Sequence, residues 1–128
     1  MVTQKNLKAF TLVEILVVLA IIATLLSIVS PRFFHYLTQS KETTLKHDLH
    51  IMREAIDKFY SDRNIYPNTL DDLVQYKYLR NIPPDPLTDS NLTWIITPPG
   101  DPNDQGAVAD IHSGSPEIAS DGSPYALW

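Results

Sequence analysis

Cysteine is absent from all 128 residues, so the chain has neither a disulfide clamp nor a thiolate metal site. Basic side chains are missing from one end. After Arg80 there is no lysine or arginine, while Asp85, Asp89, Asp101, Asp104, Asp110, Glu117 and Asp121 follow it, and the net charge is −5. A surface that grips a nucleic-acid backbone needs the opposite sign, so direct nucleic-acid binding is disfavoured. The acidic half suits either a solvated face or a cation site. No internal repeat and no phosphate-binding loop occurs, so work driven by nucleotide hydrolysis has to come from another protein. Asp110, His112 and Ser113 are triad residue types, but neighbours this close in a strand or tight loop cannot take up nucleophile, base and orienter geometry among themselves. His47 and His50, three apart on a helical stretch, make at most a weak metal pair.

What is present in abundance is one long apolar run. Residues 10–29 are interrupted only by Thr11, Glu14, Thr24 and Ser27. Twenty helical residues cover about 30 Å, the thickness of a bilayer's hydrocarbon core. Lys5 and Lys8 precede the run with no acid among the first nine residues, which sets that end in the cytoplasm and sends Pro31 onward across the membrane. A cleaved secretory signal fits poorly, because the run is long, no A-x-A site follows it, and Ser30 is followed by Pro31. An uncleaved anchor leaves Glu14 unexplained. An ionisable residue costs about 2.5–3.5 kcal/mol at the centre of a spanning helix and less toward its end, so Glu14 needs a partner.

The string KAFTLVEILVVLAII resembles the class III signal of type IV pilins and of the pseudopilins of type II secretion systems. The resemblance implies that a prepilin peptidase cuts between Ala9 and Phe10 on the cytoplasmic side and methylates the new Phe10 amine. Glu14 becomes the acidic fifth residue of the mature chain. Ala9 stands where the family usually has glycine. The amine so freed has an ordinary pKa of about 7.7–8.0 and lies in the same low-dielectric zone as Glu14. If subunits stack with an axial offset, Glu14 of one pairs with the Phe10 amine of the next, so two burial costs offset each other on assembly and a wrong register leaves a charge unpaired.

Beyond the span, Pro31 cannot donate to the Ser27 carbonyl, so a continuing helix is expected to bend or loosen there, and the family has a proline here too. Leu45, Leu49, Met52, Ile56 and Phe59, widened by Ala55 and Tyr60, form an amphipathic helical stripe. The intervening TQSKETT reads as polar on every side. Thr69 with Asp71 and Asp72 starts a short helix to about residue 76, and TWIIT (93–97) and AVADIH (107–112) read as strands. The fold class is therefore α+β: a long N-terminal helical spine, spanning the membrane in its first half, laid on a small antiparallel sheet as in pilins. Three segments follow: a cytoplasmic leader over 1–9, a membrane and filament-core helix over 10–30, and a soluble domain over 31–128.

The tail DIHSGSPEIASDGSPYALW resembles the C-terminal loop of major pseudopilins, an acidic loop that binds calcium, and NIPPDPLTDSNLTW resembles their Pro-x-Asp-Pro segment. The resemblance implies a Ca²⁺ ion held by Asp110, Ser113 and Asp121, with Ser115 and backbone carbonyls as further oxygens and Gly114 and Gly122 permitting tight backbone. The loop is shorter than in typical members. The expectation is a non-enzymatic structural subunit that polymerises with its own copies and other pilin-like subunits from an inner-membrane platform driven by a cytoplasmic ATPase. The filament is periplasmic if the chain is a pseudopilin and extended from the surface if it is a pilin for adhesion or motility. A tethered binding module that never polymerises is the third reading.

Overall fold

The computed structural model describes residues 9–128, so the basic leader with Lys5 and Lys8 lies outside the described residues. The described chain has two helices, α1 (Leu12–Arg63) and α2 (Leu70–Gln75), two strands, β1 (Ile95–Thr97) and β2 (Asp110–His112), and a closing 3₁₀ turn over Tyr125–Leu127. It divides into two compact units, one reaching to Leu37 and the other Thr38–Trp128.

In the first unit α1 has no buried residue. It is the one helix among the described residues long and apolar enough to cross a membrane, with a mean hydropathy of 2.9 over its most apolar window. Its hydroxyls are satisfied within the helix: Thr24 donates to the Ala20 carbonyl and Ser27 to the Ala23 carbonyl, both at 2.8 Å. A hydroxyl in hydrocarbon has no water to turn to, so this back-bonding removes most of its burial cost. α1 continues unbroken through Pro31.

The second unit is built on the stripe expected from periodicity. Leu45, Leu49, Met52, Ala55, Ile56 and Phe59 are buried and share one core with Leu73, Trp94, Val108, Ile111 and Tyr125. Asn64, with φ of 57°, ends α1 in the left-handed region, and its N–H reaches the Tyr60 carbonyl at 2.7 Å. Thr69 in extended conformation begins α2, where the Asp72 carboxylate accepts the N–H groups of Asn68 and Thr69 at 2.9 and 3.3 Å.

β1 and β2 pair antiparallel with Ile96 opposite Ile111. They are three residues each, shorter than the sequence suggests. The N–H groups of Ala107 and Val108 both go to the Pro67 carbonyl, at 3.1 and 2.9 Å, so the chain joins the ladder only at Ala109, which donates to Thr97. The second correction concerns TQSKETT. It is polar on every side as its residues suggest, but it does not face solvent all round, because Glu42 points into the domain and is 7% exposed.

Candidate functional site

Ala9 and Phe10 lie ahead of the first turn of α1, outside regular structure and exposed. A peptide bond there is open to a protease, whereas one inside the helix is not. The next four residues form a reciprocal cap. The Thr11 N–H donates to Glu14 Oε2 at 3.0 Å, and the Glu14 N–H donates to Thr11 Oγ1 at 3.2 Å. Helix starts leave N–H groups without intrahelical acceptors, and a Thr-x-x-Glu box satisfies two of them. Glu14 therefore has a partner within its own chain. The cap signal is visible in the sequence as Thr-Leu-Val-Glu, embedded in an apolar run that reads equally as a membrane span.

A second carboxylate sits in the domain. Glu42 Oε1 accepts the Ser120 N–H and the Tyr125 hydroxyl, both at 2.8 Å, and Oε2 accepts the Ser120 hydroxyl at 2.6 Å. Burial acts to raise its pKa, but the Ser120 hydroxyl, the Ser120 amide and the Tyr125 hydroxyl together outweigh it and hold the carboxyl below its ordinary value. Burial, with Glu42 beside it, pushes the Tyr125 phenol up to about 12. Sequence reading missed Glu42, Ser120 and Tyr125 as a group; the only available sign was a carboxylate one helical turn before the apolar stripe begins.

The candidate metal ligands each have a protein partner of their own. Asp110 Oδ1 takes the Arg53 Nε–H and its neighbour's Ile111 N–H, both at 2.8 Å, and the same Arg53 donates from Nη2 to the Ile111 and Trp128 carbonyls. Ser113, fully buried, donates to Asp85 Oδ2 at 2.5 Å. Asp121 accepts the Ser123 hydroxyl and N–H at 2.5 and 2.9 Å, which hold it below the usual carboxylate range. Ser115 is buried and receives the Glu117 N–H at 3.3 Å. Among the described residues no three His, Cys, Asp or Glu side chains gather as a metal site. A guanidinium at 2.8 Å from Asp110 repels a dication, so Asp110 does not suit calcium in this arrangement, while Ser113 and Asp121 are turned to partners of their own. Nor does Ser113 face His112: the imidazole lies 3.5 Å from Asp110 Oδ2 and its Nδ1 is 2.9 Å from the Trp128 carbonyl oxygen.

Two comparisons with known proteins give a match. Residues 4–30 match the family model of the prokaryotic N-terminal methylation motif, the motif of the type IV pilin class. Over 66 residues the chain is 33% identical to type II secretion system core protein G of Pseudomonas aeruginosa, a match covering 52% of this chain and 46% of that protein. The chain thus spans about half the length of the curated relative it matches. No solved structure gives a significant match.

Proposed function

We propose that this protein is a structural subunit of a type II secretion pseudopilus, made as a precursor and polymerised from the inner membrane. The observation that carries the reading is the similarity to core protein G, a secretion-system component by name. In this reading a prepilin peptidase removes residues 1–9 and methylates Phe10, residues 10–30 anchor the subunit with its C-terminal domain in the periplasm, and a platform with a cytoplasmic ATPase drives assembly. Copies of the chain and other pilin-like subunits then pack their apolar helices in the filament. Glu14 guides register by exchanging its own Thr11 N–H for the Phe10 amine of a neighbour. The cap satisfies the Glu14 carboxylate in the free subunit and is replaced by a charged partner on assembly.

Deleting the gene and complementing it separates the reading from a surface pilus. Loss of an exported enzyme from the medium, restored by the wild-type gene and not by a copy lacking residues 10–30, is expected. Intact export with loss of surface adhesion or twitching would assign the chain to a surface pilus instead.

A further inference from the structure

We propose that the C-terminal segment of the domain is locked onto α1 by the Glu42 carboxylate, without a metal ion. The lock goes beyond the secretion reading and does not depend on it.

The polarity of the segment carries the inference. A cation site gathers oxygen acceptors around a positive centre. Here the centre is a buried carboxylate, and what converges on it are donors: the N–H and hydroxyl of Ser120 and the hydroxyl of Tyr125. Ser120 and Tyr125 lie on either side of a tight turn, where Ala119 donates to the Ser123 carbonyl at 2.7 Å and Gly122 to the Ala119 carbonyl at 3.0 Å. One side chain of α1 therefore holds both arms of the turn.

Three acids of this end are likewise committed to protein donors. Asp121 holds Ser123, Asp110 holds Arg53, and buried Asp85 takes the Ser113 hydroxyl and the Leu87 N–H. Among the described residues no buried side-chain nitrogen or oxygen lacks a hydrogen-bond partner, so the interior holds no unpaired carboxylate oxygen for a cation to take. Positive charge is also already in place. Arg53 and Lys46 line the same hollow as Asp121 and Trp128, and Lys46 Nζ lies 4.6 Å from the centre of the Trp128 ring. A divalent cation entering there meets two fixed cations.

The test uses the full chain in detergent, melted in EGTA, CaCl₂, MgCl₂ and NaCl at matched ionic strength, with hydrogen exchange followed at the Ser120 amide. The wild-type melting temperature is expected to be the same with EGTA as with CaCl₂. Glu42→Gln, which keeps the side chain's size and removes its charge, should lower melting by about 5–10 °C and speed exchange at Ser120 roughly tenfold. Tyr125→Phe, which deletes one donor and keeps the ring in the core, should produce a smaller drop of the same kind, so the lock is tested even if Glu42→Gln does not fold. A rise in melting temperature specific to Ca²⁺ in the unaltered chain would overturn the proposal, as would wild-type melting and exchange in both variants.

Discussion

Glu14 and Glu42 are carboxylates on one helix that meet opposite surroundings. Glu14 is exposed at the head of an apolar run and closes a cap with Thr11, while Glu42 is buried and holds three hydrogen bonds. Replacing Glu14 by leucine removes a charge that resists insertion and also removes the acceptor for the Thr11 N–H and, in the proposed filament, for a neighbour's amine. Membrane-fraction abundance of Glu14→Leu should therefore equal or exceed wild type while filament yield falls at least about tenfold, equivalent to ~1.4 kcal/mol of assembly energy. Normal filaments at matched expression would show that the pairing does not matter. For Glu42 the sign runs the usual way for a carboxyl whose folded pKa is depressed: its stabilisation is complete above the unfolded value near 4.3 and is lost as pH falls through the lower, folded value. Tyr125 gives the opposite limb. Its phenol is raised to about 12, so its contribution is full below about 10 and disappears as pH climbs from there toward 12. Thermal melts of the full chain across pH should show both limbs, with Tyr125→Phe flattening the alkaline one and Glu42→Gln the acid one.

At the level of elements, burial of a side chain decides more than propensity does. The stripe from Leu45 to Phe59 was legible because spacings of three and four are a property of the helix alone. Glu42, in the same helix, was not, because its donors lie 78 and 83 residues away and nothing local marks them. The strands were legible in kind but not in length, since Pro67 claims the Ala107 and Val108 amides from a different part of the chain. For the acidic tail, residue types suggested oxygen ligands, but Arg53, which pairs with Asp110, and Lys46, which lines the hollow beside Asp121, come from α1. Gly114 carries a prediction on this scale. A Cβ there would lie 2.0 Å from the Thr93 carbonyl oxygen, which is backbone and cannot swing aside, whereas a Cβ at Gly122 meets nothing although φ is +86°. Gly114→Ala should therefore destabilise the domain by about 3 kcal/mol or more, and Gly122→Ala by only about 1–2. Denaturant unfolding of the two variants measures the order, and a reversed order would mean that the approach of residues 93 and 114 is not as close as described.

For the whole molecule, one chain combines a first unit whose described residues bury no side chain and a second unit with a full core. Phe10, Leu12 and Val13 are 80, 77 and 67% exposed, an apolar surface that water does not tolerate over such a length and that lipid or neighbouring helices have to cover. Where the chain is cut determines whether that surface survives. Cleavage after Ser30 would discard the span, and no cleavage would leave Lys5 and Lys8 ahead of the apolar run. Cleavage between Ala9 and Phe10 keeps the whole run, leaves the Thr11 and Glu14 cap intact, and places a new amine one residue ahead of that cap. The mature chain purified from membranes should therefore begin at Phe10 and carry one added methyl group. Intact mass and N-terminal sequencing decide it, and a chain starting at Met1 or after Ser30 would overturn the pilin-class reading. If a prepilin peptidase processes the chain as proposed, it has to accommodate Ala9 where a smaller residue is usual, so Ala9→Gly should accumulate mature protein faster in a pulse-chase and Ala9→Leu should stop at the precursor.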